Sequence, residues 1–321
     1  MPASASDVAR RLQDGLRKVI VGQDDTIFAL LLALLGQGHA LIEGVPGTAK
    51  TLLVRTLALL LGVDFRRIQF TPDLMPSDVV GTTVFNPKTG EFSTRRGPIF
   101  TDLLLADEIN RTPPKTQSAM LEVMEERQVT IDGAVMPLSA TFMVCATQNP
   151  VEYEGTYPLP EAQLDRFMVR AKTGYPEQAE ELDLLHRVAE GFDSRHLDRA
   201  GITKVVDTGD LAAARDAVRS IHVSPSLQRY VYDIAAFTRS SSEVTLGASP
   251  RAAISLLIAA QAAAGINDAT FATPDDVKDA ARFVLPHRLL VRPEAEVEGV
   301  TADEVIRRAL DSVPVPKEAE A

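Results

Sequence analysis

The chain is short of cysteine, aromatic residues and histidine. Of its 321 residues one is cysteine, none is tryptophan and five are histidine. A lone Cys145 excludes an internal disulfide. Its apolar surroundings read as a packed thiol in a reducing compartment, which points to the cytoplasm. One cysteine and five scattered histidines offer no zinc-ligand spacing. Basic residues are also outnumbered: 33 Lys and Arg stand against 44 Asp and Glu, a net charge of −11. With no basic run, a broad nucleic-acid footprint is argued against, and "STRRG" is the one concentrated basic spot. The longest apolar stretch, "IFALLLALL", is too short to cross a bilayer, so membrane insertion is not expected. "MPASASDVARRLQDGL" lacks the apolar centre of a signal peptide.

What remains is an ordinary globular composition, 45% hydrophobic and 24% charged, and a length that suggests two domains. Up to about residue 176, helical and strand patterns alternate. "DDTIFALLLALLGQG" reads as a buried helix ending at Gly36, and "HALIEG" as a strand. "TLLVRTLALLLG" is a helix with little exposed face. "DFRRIQF", "TDLLLADE" and "TFMVCAT" read as strands, the last two buried on both faces. Two hairpins interrupt them. One spans about 82–98 with "NPKTG" as its turn, the other about 129–137 with Asp132-Gly133. "PKTQSAMLEVMEERQ" is a helix with Met120, Val123 and Met124 on its inner side. This alternation predicts an α/β fold, a mostly parallel sheet between helices, over residues 1–176. Residues 177–321 show only helical periodicity and are expected to form a smaller all-α domain. Ser249 and Thr273 cap two of its helices. The tail "PVPKEAEA" reads as frayed.

Five stretches could carry chemistry. "EGVPGTAKT" lies between a strand and a helix, where Gly44 and Gly47 would let backbone amides approach phosphate oxygens. Lys50 is placed for the β- and γ-phosphates and Thr51 for Mg²⁺. The usual pattern puts glycine where Ala49 stands. Alanine is harmless there at a helical φ but costs roughly 1–2 kcal/mol at a positive one. The expectation is a negative φ. "LLLADEIN" puts Asp107 and Glu108 at the carboxyl end of a buried strand, where ligands of parallel sheets bind. Asp107 would hold Mg²⁺ through its water shell, and Glu108 would activate water. Asn149 in "CATQNP" could donate to a γ-phosphate, though a turn Asn before proline is the plainer reading. Arg166 in "EAQLDRF" is either a surface ion pair with Asp165 or a cationic clamp for a phosphoryl group. Arg251 in "GASPRAA" falls in the first turn of a helix, where positive charge is unfavourable. An anion should compensate it, and a phosphate at the domain interface would do so.

In this order the five stretches resemble the AAA+ ATPases: Walker A (Gly44 to Thr51), Walker B (Asp107, Glu108), sensor 1 (Asn149), arginine finger (Arg166) and sensor 2 (Arg251). More narrowly, "GVPGTAKT", "LLLADEINRTPPKTQSAMLEVMEERQVTIDG", "ATQNP" and "LPEAQLDRF" are similar to the MoxR family, whose loops also carry alanine before the lysine. The resemblance implies an αβα nucleotide domain with a helical lid. It identifies the two hairpins as helix-2 insert and pre-sensor-1 hairpin. It implies ATP and Mg²⁺ as cofactors, with contacts from Val21, Gly22, Gly44, Val45, Pro46, Gly47, Thr48, Ala49, Lys50, Thr51 and Leu52. The catalytic set it implies is Lys50, Glu108, Asn149, Arg166 and Arg251, with Thr51 and Asp107 as metal residues. It further implies a homo-oligomeric ring, usually a hexamer, with ATP between subunits. It also implies a chaperone-like action on client proteins, often with a von Willebrand factor A domain partner. Rival readings are a DNA-acting AAA+ motor, a P-loop small-molecule kinase and a nucleotide-gated scaffold with negligible turnover.

Overall fold

The computed structural model describes residues 3–150 and 155–316. The part of the expected frayed tail from 317 onward lies outside them.

Helix α1 (Ala5–Arg17) is capped by Ser4, whose hydroxyl accepts the Asp7 N–H. Helix α2 (Asp24–Leu35) is buried almost all round and stops at Gly36, as its composition predicts. Strand β1 (Ala40–Gly44) leads through the glycine loop into α3 (Lys50–Leu61), which closes on a left-handed Gly62. Then follow β2 (Phe65–Gln69), α4 (Pro76–Val80) and the first hairpin, β3 (Gly81–Asn86) with β4 (Glu91–Arg96). Strand β5 (Leu103–Asp107) is buried at every residue, the pattern of a strand covered on both faces. Helix α5 (Pro114–Glu126) buries Met120, Val123 and Met124. The second hairpin pairs β6 (Gln128–Ile131) with β7 (Ala134–Pro137). Its turn residues Asp132 and Gly133 have φ of 49° and 83°, the two positive values that a tight primed turn requires. Strand β8 (Met143–Gln148), the short α6 (Glu161–Leu164) and β9 (Val169–Thr173) complete the first half.

The five long-range strands form one parallel sheet in the order β2-β5-β8-β1-β9. All five therefore end on the same edge, and the glycine loop, Asp107 and Gln148 are delivered there together. That edge is where an open parallel sheet binds its ligand.

The second half holds α7 (Gln178–Ala189), α8 (Thr208–Arg219), α9 (Pro225–Ser240), α10 (Pro250–Ile266), α11 (Pro274–Val284), α12 (Pro293–Val297) and α13 (Ala302–Ser312). Ser249 and Thr273 cap α10 and α11 as expected. One feature departs from an all-helical lid. Strand β10 (Val244–Leu246) pairs antiparallel with β11 (Leu290–Val291). Each is too short to leave a periodic signal, and their partners are distant in the chain. A single apolar cluster runs from α1, α2, α3 and the sheet into α8 through α13.

Candidate functional site

A cleft of about 910 Å³ opens at the carboxyl edge of the sheet. Its floor is the loop from Pro46 to Leu52, which brings Gly47, Thr48, Ala49, Lys50 and Thr51 to the surface of one cavity. Asp107, Glu108 and Asn149 line the same cavity, so residues that lie far apart in sequence converge. Val21 lines it as well. Gly22 does not; it sits against Glu180, whose carboxylate would meet any side chain there.

The loop's glycines do different jobs. Gly47 has φ +88°, and a Cβ built on it would meet nothing within 4 Å, so its backbone faces open space. Gly44 belongs to the sheet instead of the cradle. A Cβ there would fall 1.9 Å from Thr173 Oγ1 on β9. Thr173 in turn bonds to Thr48 Oγ1 at 2.9 Å and to Glu43 O at 3.2 Å. The small residue lets β1 and β9 close over the root of the loop.

Ala49 corrects an expectation. Its φ is +59° and its ψ 16°, the left-handed region, so the position does demand what glycine supplies. An alanine there costs about 1–2 kcal/mol of local strain. The loop keeps the conformation despite that cost, which is how strained backbone persists at ligand sites. Lys50, one residue later, donates from Nζ to Gly44 O at 2.5 Å and Val45 O at 2.9 Å. Burial lowers its pKa, and Asp107 and Glu108 oppose that shift.

The acid pair is held from the two strands that flank β5, with Arg111 from the turn that follows. Thr147 Oγ1 on β8 donates to Asp107 Oδ1 at 2.5 Å and accepts the Glu108 N–H at 2.9 Å. Arg67 on β2 donates from Nε and Nη2 to Asp107 Oδ2, at 3.0 and 2.6 Å. Gln69, also on β2, donates to Glu108 Oε2 at 2.8 Å, and Arg111 Nε lies 2.9 Å from the same oxygen. Glu108 is itself left-handed, with φ 57° and ψ 50°. A carboxylate has about four acceptor sites. Three donors reach Asp107, which leaves room for a water-mediated cation. No cluster of three or more His, Cys, Asp or Glu suited to a metal occurs among the described residues.

The structure separates the two arginines from this cleft. Arg166 and Arg251 line a different cavity, of about 230 Å³, beside Gly36–His39 and Met168, where β1 and β9 begin. Both pair with Glu125 in the last turn of α5: Arg166 Nη2 lies 3.3 Å from its Oε2, and Arg251 Nη2 meets its Oε1. The anion that compensates Arg251 within the chain is thus Glu125, and the domain interface it occupies is not the one beside the glycine loop. Nor is Asp165 the partner of Arg166. It pairs with the buried Arg288 at 2.8 Å.

One wall of the cleft carries no motif in the sequence. Tyr175, Pro176, Leu184, Val188 and Phe192 add apolar surface, and the segment to Arg195 closes it. Helix α7 buries none of its residues, so Leu184 and Val188 spend their apolar surface on the cleft. The leucines in "AEELDLLHRVAEGF" were the available signal. Arg67, Gln69 and Thr147 carry no motif of their own and are placed only by strand register.

The fold and site define a P-loop ATPase domain of the AAA type followed by a helical lid. Comparison with known proteins agrees. Residues 39–169 match the model of the ATPase family associated with various cellular activities (AAA), and residues 236–309 match the AAA lid domain. The chain is 40% identical to chaperone MoxR1 of Mycobacterium tuberculosis over 94% of its length and 81% of that protein's. It is 47% identical to the uncharacterized protein YeaC of Bacillus subtilis, over 95% of this chain and 94% of that one. The crystal structure of a candidate ATPase from Cytophaga hutchinsonii superposes with a TM-score of 0.88, at 41% identity, covering 98% of this chain and 96% of the other. The chain belongs to the MoxR family of AAA+ ATPases. No helix among its described residues is long and apolar enough to cross a membrane.

Proposed function

We propose that this protein hydrolyses ATP at the interfaces of a homo-oligomeric ring and uses the cycle to remodel, assemble or activate client proteins. The observation that carries the reading is the convergence of Lys50, Thr51, Asp107, Glu108 and Asn149 on one cleft while Arg166 and Arg251 sit together elsewhere. Within one chain Arg166 and Arg251 line a different cavity from the cradle and the acids. A neighbour would have to supply those arginines.

The residues present fit a magnesium nucleotide. The open backbone at Gly47 and the start of α3 suit phosphate oxygens. The apolar walls at Ile20, Val21, Leu184 and Val188 suit a base. Bound Mg²⁺-ATP supplies the transferable phosphoryl group and a cation that offsets its charge. In this reading Lys50 leaves its carbonyl partners for phosphate, and Thr51 and Asp107 hold the cation's shell. Glu108, oriented by Gln69 and Arg111, takes the proton of the attacking water. Asn149 orients that water. Arg166 and Arg251 of the next subunit neutralise developing charge. The two hairpins are the candidate moving parts. Clients, a six-membered ring and a von Willebrand factor A domain partner rest on the family alone.

The test is Glu108→Gln. It should bind ATP with near-parental affinity and turn over at least about 10²-fold more slowly. Near-parental turnover would overturn the assignment of Glu108. Pull-down with this trapped form from the native cell should enrich clients relative to the parent protein.

A further inference from the structure

Glu125 has no part in the chemistry described above, yet it holds both displaced arginines. It stands in the last turn of α5. Arg166 belongs to the turn between α6 and β9, and Arg251 to the first turn of α10 in the lid. The three are brought together from positions far apart in the chain. Each arginine reaches a separate oxygen of the same carboxylate, Oε2 for Arg166 and Oε1 for Arg251. Two guanidinium groups that would otherwise repel are thereby set side by side. The arrangement is anchored from beneath. Ser249, the cap of α10, donates to Asp165 Oδ2 at 3.0 Å, and Arg288 grips Asp165 Oδ1. Asp165 is therefore already engaged, and Glu125 is the acid that faces both arginines across the cavity.

We infer that Glu125 is the positioning residue of the subunit's donor face: it sets Arg166 and Arg251 as a pair for presentation to a neighbour's phosphate. The inference rests on the trans reading of those arginines. Its side chain is partly exposed, as are both arginines, so the group is accessible to an incoming anion. An oxyanion arriving there competes with a carboxylate for the same donors. The guanidinium groups then exchange an intramolecular acid for an intermolecular one. Because one of them belongs to the lid and the other to the sheet domain, the same carboxylate ties lid position to finger position.

The experiment is subunit mixing under confirmed co-assembly, read as ATPase activity. Three inactive or weakened forms are used: Lys50→Ala, Arg166→Ala and Glu125→Gln. Glu125→Gln keeps the shape of the side chain and should melt within a few degrees of the parent. Its kcat should fall about tenfold with KM for ATP within about twofold, an effect on the transition state and not on binding. Mixing Glu125→Gln with Lys50→Ala should restore activity, since some interfaces join an intact cleft to an intact donor face. Mixing Glu125→Gln with Arg166→Ala should restore none, because every donor face then carries a lesion. Restoration in that last mixture would place the effect of Glu125 within its own subunit and overturn the inference. So would a parental kcat in Glu125→Gln. The trans reading fails separately, if Lys50→Ala and Arg166→Ala do not complement each other. Glu125→Asp serves as the second variant. Retaining charge at shorter reach, it should recover part of the lost kcat, and recovery no better than Gln would count against an ion-pair role.

Discussion

Thr147 binds both members of the acid pair at once, donating to Asp107 Oδ1 at 2.5 Å and accepting the backbone N–H of Glu108 at 2.9 Å. One hydroxyl on β8 thus fixes the end of the neighbouring strand, including the left-handed backbone at Glu108. Thr147→Val keeps the shape and removes the hydroxyl. The Glu108 N–H then loses its partner, which costs about 1–3 kcal/mol. ATPase activity should drop by at least about tenfold, the ratio produced by some 1.4 kcal/mol at the transition state. Thr147→Ser should recover most of both. Urea unfolding and steady-state kinetics on the three proteins decide it, and parental kinetics in the valine variant would dissociate the hydroxyl from the acids' task.

Ala49 makes a second case, because its sign is opposite to that of ordinary helix substitutions. Alanine normally outranks glycine by about 1 kcal/mol within a helix. At φ +59° the left-handed strain of about 1–2 kcal/mol favours glycine instead, partly offset by glycine's looser unfolded chain. Ala49→Gly should leave the urea midpoint unchanged or raise it slightly, and ATP binding should persist. Ala49→Val should lower both. A clear loss of stability in the glycine variant would mean that the position is right-handed.

Acid sensitivity should come from His39. Its ring is fully buried at the head of β1, donating from Nε2 to Met124 O and accepting the Val144 N–H at Nδ1, both at 3.0 Å. A protonated ring cannot accept that second bond, and burial pushes its pKa down to about 4. The folded value lies below the unfolded one near 6.5, so the contribution is complete above pH 6.5. As pH falls from there towards 4 the unfolded chain takes up the proton and stability drains away, by up to about 1.4 kcal/mol per pH unit. His287, buried and shifted the same way, adds to the slope. His39→Leu should be less stable at pH 7.5 but show a shallower decline to pH 5. Parallel declines in the two proteins would remove His39 from the account.

Arg288 predicts how the lid is pinned. Its guanidinium is enclosed, pairing with Asp165 at 2.8 Å and donating to Phe167 O at 2.8 Å and Val284 O at 2.9 Å. Arg288→Met leaves Asp165 without its counter-ion and should destabilise by about 3–5 kcal/mol. Adding Asp165→Leu should recover a good part, since a matched apolar pair replaces a broken ionic one. A single variant within about 1 kcal/mol of the parent would show that the pair does not hold the lid.

Much of this molecule was legible before its structure. Periodicity and turn chemistry point to the five strands of the parallel sheet, both hairpins and the helices capped by Ser249 and Thr273, but not to α1 or to the caps Ser4, Asp207, Ser224 and Thr301. "NPKTG" and Asp132-Gly133 carry their turns locally, so the hairpin limits fall close to the expected ones. Lys50, Thr51, Asp107, Glu108 and Asn149 were legible because each lies just past or at the end of a strand, and a parallel sheet aligns strand ends by topology. What was hidden is long-range pairing. Nothing near Arg251 in sequence foretells Glu125, and nothing near Asp107 foretells Arg67 and Thr147. The positive φ of Ala49 was hidden for another reason: a left-handed alanine is set by the loop's closure around it, against its own preference. The β10–β11 ribbon was lost through brevity.

The unbroken apolar cluster has a consequence for how the chain behaves as a material object. Helix α1 packs on α3 beneath the sheet and also on α8 and α10 of the lid, with Leu12 and Leu16 wholly enclosed. A cut near residue 176 would therefore leave two raw apolar faces in place of two finished domains. The chain should melt in one cooperative step, and neither half should express as a well-behaved fragment. Thermodynamically the sheet domain and the helices α8 to α13 are a single piece.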